Sequence, residues 1–244
     1  MRPLLEAARG RLSDRRVIAV VAGKGGVGKS IVAALLALKR RAPLVDLDLF
    51  GMAVPRLFGL TGRLHEVGKE GIEPLQVGGI KIFSLGGIVG DRYVVLPGSN
   101  QGGIVEALLA FLKLGPEDRE VVVDMPPGMG EELLSLSRVT KFTPVVVSTP
   151  SAASYGVVKN LVDYLGEIGL RPAAVALNMA YVECGGQKVY PFGSGERVRI
   201  LAESLGVPLV EIPIEPRLEE YIGRIHEYRG PLADAVGRLS EAIR

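Results

Sequence analysis

Short unbroken apolar runs alternate along this chain with longer stretches in which apolar residues return every three or four positions. The runs at 16–22, 43–48, 120–124, 144–149, 173–178 and 207–212 are rich in Val, Ile, Leu and Ala, which predicts strands buried on both faces. Helical spacing at 31–39, 104–114, 131–139, 152–168 and 195–206 predicts the helices between and around them. The alternation predicts an α/β fold of three layers: a mostly parallel sheet flanked by helices on both faces, in one domain spanning 1–244. Residues 1–14, with Leu4, Leu5, Ala8 and Leu12 on one face, read as a helical extension before the first strand. The glycine-rich stretch 60–100 is weakly patterned and reads as one or two hairpins, at 72–77 and 79–85, rather than as a second domain. A loop runs through Pro191, and two short helices close the chain. In the last of them Leu232, Ala235, Val236, Leu239 and Ile243 fall at helical spacing and predict packing on the core.

On such a sheet, ligands sit at the carboxyl ends of the strands. The first strand is followed by Gly23-Lys24-Gly25-Gly26-Val27-Gly28-Lys29-Ser30 and then a helix opening at Ile31. That octapeptide satisfies the phosphate-loop pattern: its glycines let backbone N–H groups turn around a polyphosphate, Lys29 can reach the β- and γ-phosphates, and the Ser30 hydroxyl can ligate Mg²⁺. Strand, loop and helix in this order aim a helix N-terminus at bound phosphate, so the fold expected is that of a P-loop NTPase. Asp124 closes a second strand where a carboxylate can enter the Mg²⁺ shell, and Met125-Pro126-Pro127-Gly128-Met129-Gly130 after it combines stiff prolines with mobile glycines, as a nucleotide switch requires. Asp46 and Asp48 end a third strand with, by strand periodicity, the same side-chain direction. Asp48, the outer one, is assigned to orienting the attacking water; Asp46 is assigned to the Mg²⁺ shell, with a capping or structural acid as the other reading.

Composition excludes some alternatives. Hydrophobic residues make up 48% of the 244 and charged residues 23%, an ordinary globular balance. A net charge of +2 gives no reason to expect nucleic acid, and the cluster Arg9, Arg11, Arg15 and Arg16 reads as solvated surface. Neither a membrane-length apolar stretch nor a signal-peptide pattern is present, so a cytoplasmic protein is expected, and a membrane is not the expected partner. The single cysteine, Cys184, precludes an internal disulfide or a four-thiolate metal site within one chain. Sparse Asn and Gln and a lean toward Arg are compatible with a thermophilic source.

The octapeptide, with Lys24 directly after the first glycine, resembles the deviant Walker A motif of the MinD/ParA/nitrogenase-iron-protein group of ATPases. The rest of the chain resembles the Mrp/ApbC branch of that group, the iron–sulfur cluster carriers. The stretches concerned are Asp46-Leu47-Asp48-Leu49-Phe50-Gly51-Met52-Ala53-Val54-Pro55-Arg56, Asp124-Met125-Pro126-Pro127-Gly128, Val147-Ser148-Thr149-Pro150 and Asn178-Met179-Ala180-Tyr181. The resemblance implies ATP and Mg²⁺ as cofactors, a homodimer with ATP at its interface, and iron–sulfur recipient proteins as partners. It also implies that Lys24 reaches the partner's nucleotide, that the Asn178 amide meets the adenine edge, and that backbone around Pro213 contacts the same base.

The chain departs from that pattern at the metal. The family carries Cys-x-x-Cys after the Asn-Met segment; here Cys184-Gly185-Gly186-Gln187 keeps the first cysteine and replaces the second. Two chains then offer two thiolates, half of what a [4Fe–4S] cluster needs, so Cys184 reads either as a cluster ligand or as a lone non-ligating thiol. In the switch, Met129 and Glu131 stand where the family has threonine and aspartate. A positioning ATPase of the ParA/MinD kind, acting on DNA or membrane, and a nucleotide-binding adaptor with negligible turnover are the other readings.

Overall fold

The computed structural model describes residues 3–48, 51–86 and 101–243. Helix α1 (Pro3–Leu12) precedes β1 (Arg16–Val21), and a glycine loop leads into α2 (Lys29–Arg40). Then come β2 (Leu44–Asp46), the short α3 (Ala53–Leu57), a two-strand ladder of β3 (Val67–Gly68) and β4 (Gly71–Ile72), and the hairpin of β5 (Leu75–Val77) and β6 (Ile80–Ser84). Next are α4 (Gln101–Ala110), β7 (Glu120–Asp124), α5 (Glu131–Val139), β8 (Phe142–Ser148), α6 (Ala152–Glu167) and β9 (Ala174–Leu177). A second small hairpin, β10 (Val182–Cys184) and β11 (Gln187–Val189), is followed by α7 (Glu196–Leu205) and β12 (Leu209–Glu211). Two 3₁₀ turns, Pro216–Tyr221 and Ile225–Glu227, lead to α8 (Pro231–Ala242).

Eight strands form the central sheet in the order β12-β9-β8-β1-β7-β2-β6-β5. Every pairing in it is parallel except that of β5 with β6, as a sheet with helical crossovers demands. Alternate residues of each strand enter opposite cores. Val17, Ala19 and Val21 pack with Leu12 of α1, Leu108 of α4, Leu136 of α5 and Leu161 of α6. Ile18, Val20 and Ala22 face the other way, onto Leu36 of α2, Val54 of α3 and Val236 of α8. The apolar stripe of α8 is thus buried: Leu232, Ala235, Val236, Leu239 and Ile243 are each at most 4% exposed, which leaves no free apolar face on that helix. Among the described residues, no helix is long and apolar enough to cross a membrane.

Three elements differ from the sequence expectation. The strand predicted at 43–48 ends at Asp46, because the Asp46 carboxylate accepts the Asp48 N–H at 3.0 Å and turns the chain out of the ladder. Asp46 and Asp48 therefore do not share a strand direction. The helix predicted at 104–114 starts at Gln101 and stops at Ala110, since Phe111 and Leu112 leave it to pair with Ile72, whose N–H donates to the Phe111 carbonyl at 2.7 Å. The hairpin β10–β11 replaces part of the expected loop. Of the stretch 60–100, the part at 87–100 lies outside the described residues, as do positions 49 and 50.

One buried histidine braces the strand next to β2. His65 is 7% exposed; its Nδ1 lies 2.8 Å from the Glu73 carbonyl, and its Nε2 accepts the Ser84 N–H at 3.0 Å. These two bonds require a neutral ring protonated at Nδ1, and burial holds the group below the ordinary histidine value. A histidine depressed in the folded state contributes stability that is complete above the unfolded value, about 6.5, and is lost as pH falls. Urea midpoints at pH 7 and pH 5 test this. His65→Asn should cost about 1–3 kcal/mol at pH 7 by orphaning the Ser84 N–H, and should show a shallower acid loss than the native chain. Equal acid losses in the two proteins would contradict it.

Candidate functional site

The carboxyl ends of β1, β7 and β2 meet at the glycine loop. The loop's last residue, Gly28, has φ +81° and caps α2, a backbone state that favours glycine. A Cβ there would also meet Asn178 Nδ2 at 2.2 Å. Asn178, at the end of β9, donates from that nitrogen to the Val27 carbonyl at 2.7 Å, so the strand clamps the loop from one side. Its Oδ1 is buried and has no partner among the described residues.

Beneath the loop lies a buried ion pair. Lys29 is 6% exposed and Asp124 is fully buried; Lys29 Nζ stands 2.5 Å from Asp124 Oδ1 and 3.3 Å from Ser30 Oγ. Burial pushes the Asp124 carboxyl up, and the charge and hydrogen bond of Lys29 pull against it. Asp124 Oδ2 has no partner among the described residues. Asp46 sits opposite Asp124 in the β2–β7 ladder and is 1% exposed. Its pKa is pushed up to about 8, first by burial and then by the neighbouring charge of Asp124. Ser84 Oγ donates to it at 2.9 Å and the Asp48 N–H at 3.0 Å. Asp46 is thus a buried, internally bonded group, whereas Asp48, half-buried, opens onto the cavity above.

That cavity measures about 450 Å³, within the roughly 300–1,000 Å³ of small-molecule sites. Its floor is Lys24, Gly25, Gly26, Val27, Gly28, Lys29, Ser30 and Ile31, with Asp48 and Pro127 on one side. Lys24 is half-buried there and has no ion-pair partner among the described residues. The far wall is Ala53, Arg56 and Leu57 of α3 with Glu219 of the first 3₁₀ segment and Ile222 just after it. Sequence reasoning gave these no role. Arg56 lay inside a quoted motif, but nothing marked Glu219 or Ile222, whose segment is joined to α3 by the Gly223 N–H, which donates to the Leu57 carbonyl at 3.1 Å, and by the packing of Leu218 with Leu57.

The segment after β7 is tied to the loop by the Gly128 N–H, which donates to the Ala22 carbonyl at 2.8 Å. On the other side, the Ala180 N–H donates to the Ile212 carbonyl at 3.0 Å, which sets buried Pro213 beside the Asn178 segment. For a hard cation such as Mg²⁺, the unpartnered Asp124 Oδ2 and the Ser30 hydroxyl are fitting oxygen donors. For an iron–sulfur cluster the chain offers less. Cys184 is exposed on β10, away from the cavity lining, and faces Gln187 across a two-residue turn whose glycines, Gly185 and Gly186, have φ +56° and +77°. Among the described residues, no three His, Cys, Asp or Glu side chains gather as a metal site.

Comparison with known proteins agrees with this arrangement. Residues 13–231 match a family model described as ParA, NUBPL iron-transfer P-loop NTPase. The chain is 33% identical over 219 residues to the iron–sulfur cluster carrier protein of Saccharolobus solfataricus, covering 83% of this chain and 72% of that protein. It is 37% identical over 221 residues to the iron–sulfur cluster carrier protein of Aquifex aeolicus, covering 84% of this chain and 59% of the relative. Among solved structures, a nucleotide-binding protein from Archaeoglobus fulgidus in complex with ADP superposes with a TM-score of 0.74 at 30% identity, covering 93% of this chain and 95% of that one. The cell division ATPase MinD of Pyrococcus furiosus, at 22% identity and a TM-score of 0.66 over 93% and 98% of the two chains, shares the fold. With its phosphate loop, its buried Lys29–Asp124 pair and its parallel sheet, the chain belongs to the NUBPL iron-transfer family of P-loop NTPases.

Proposed function

We propose that the chain is a Mg²⁺-dependent ATPase that works as a dimeric switch in iron–sulfur cluster assembly. The observation that carries this reading is the buried Lys29–Asp124 pair under a preformed phosphate loop, with Asp48 opening on the same cavity. In this reading the loop's N–H groups and Lys29 bind the β- and γ-phosphates, and Asp48 orients the attacking water. Ser30 and Asp124 would hold Mg²⁺, which would supply charge neutralisation at the phosphates; Asp46, bonded to Ser84, would support Asp124 from the adjacent strand. Lys24 serves a partner chain's nucleotide, where a cation stabilises charge developing on the transferred group. The unpartnered Asn178 Oδ1 suits the exocyclic amine of adenine, with the Pro213 backbone beside it. The relatives named as iron–sulfur cluster carriers supply the process in which the switch would act.

Phosphate release by the purified chain tests the enzymatic part. Asp48→Ala should keep nucleotide binding and lose turnover, and Lys29→Ala should lose roughly 10²-fold or more in rate. Because Lys29→Ala strands the Asp124 charge in the core, it should also cost about 3–5 kcal/mol of stability, which makes Asp48→Ala, at a half-buried position, the cleaner variant. Native activity no higher than that of either variant would overturn the ATPase reading and leave an adaptor without turnover.

The cluster is cargo, and the hairpin sets its terms. Two copies of Cys184 fall short of four thiolates, while the register sets position 187 directly opposite Cys184. After anaerobic reconstitution and desalting, the native chain should retain little iron and Gln187→Cys about one cluster per two chains. A native chain that keeps a full four-iron cluster, lost in Cys184→Ala, would contradict this account of the hairpin.

A further inference from the structure

Arg56 is an arginine on the wall of the cavity that holds the phosphate loop, and neither the motifs nor the family match assigns it a role. It lies on α3, the element that follows Asp48, and it lines the same cavity as Lys24, Lys29 and Asp48. Its side chain is exposed and makes no hydrogen bond or ion pair among the described residues. Of the three cations on the cavity, Lys29 is paired with Asp124, whereas Lys24 and Arg56 make no ion pair among the described residues; Asp48 and Glu219 are the carboxylates on the same lining.

Strand order says which end of a nucleotide Arg56 would meet. Asn178 and Pro213 follow β9 and β12, on one side of β1; Asp124, Asp48 and α3 follow β7 and β2, on the other. A nucleotide with its base at the Asn178 side and its phosphates over the loop therefore points its terminal phosphate toward the α3 wall. A guanidinium there presents a planar fork of donors that matches phosphate oxygens. Glu219 shares that wall without forming an ion pair with Arg56 among the described residues.

We infer that Arg56 contacts the terminal phosphate of a nucleoside triphosphate bound to its own chain, so that the site separates triphosphate from diphosphate. The inference rests on the nucleotide-binding reading above. Calorimetric titration of the full chain with ADP and with a non-hydrolysable ATP analogue, both with Mg²⁺, tests it in the native protein, Arg56→Gln, Arg56→Lys and Glu219→Gln. Arg56→Gln should weaken the ATP analogue roughly 10- to 100-fold, the worth of a hydrogen bond to a charged group, and leave ADP within about twofold. Arg56→Lys should recover part of the loss, since it keeps the charge without the fork, and Glu219→Gln should leave the preference for triphosphate in place. Equal weakening of both nucleotides by Arg56→Gln, or no weakening of either, overturns the role of Arg56 while leaving nucleotide binding intact. A native chain that binds neither nucleotide overturns the nucleotide-binding reading itself, and this inference with it.

Discussion

The site is organised around one contact, the ion pair of Lys29 and Asp124. Both groups are almost wholly removed from water, and removing either would leave an uncompensated charge in the core. The pair therefore fixes two otherwise independent elements, the start of α2 and the end of β7, to within a hydrogen bond of each other. Everything needed around a phosphate hangs from that link. The glycine loop spans the gap between β1 and Lys29, Asn178 clamps the loop from the end of β9, and Gly128 ties the segment after β7 back to Ala22 at the start of the loop. A polyphosphate over the loop gives Lys29 a second anion to serve, so a ligand that competes for Lys29 necessarily changes the surroundings of Asp124 and the switch beyond it.

The neighbouring carboxylate shows how the fold tolerates this charge density. Asp46 lies beside Asp124 in the ladder, and two ionised carboxylates there would repel in a dry environment. Burial and the Asp124 charge push Asp46 toward its protonated form, and Ser84, whose hydroxyl bonds Asp46 and whose N–H bonds His65, holds it in place. Asp48, two residues on and half-buried, is the group left to face the cavity. Two aspartates expected to share one side-chain direction thus have different surroundings because the chain leaves the strand between them.

The architecture was legible because its signals are local. Runs such as 120–124 are apolar on both faces, and only a sheet covered on both sides buries them. The glycine loop, Asp124 and Asn178 were legible for the same reason, each closing a strand. Less legible was whatever depends on a contact between distant segments. The end of β2 at Asp46 is set by a side-chain bond, the end of α4 by Ile72 some forty residues earlier in sequence, and the far wall of the cavity by the meeting of Leu57 with Gly223. The hairpin holding Cys184 is a different case: Gly185-Gly186 between two short runs is itself a hairpin signal, passed over because the runs are polar and exposed.

Under the proposed function, Lys24, half-buried beside the loop and without an ion-pair partner among the described residues, is the group left for a second copy of the chain. The most direct measurement is the solution mass of the chain with Mg²⁺ and either ADP or a non-hydrolysable ATP analogue. The account predicts the single-chain mass of 26.0 kDa with ADP and about twice that value with the triphosphate analogue. A single-chain mass under both conditions, at nucleotide concentrations that saturate binding, would contradict it.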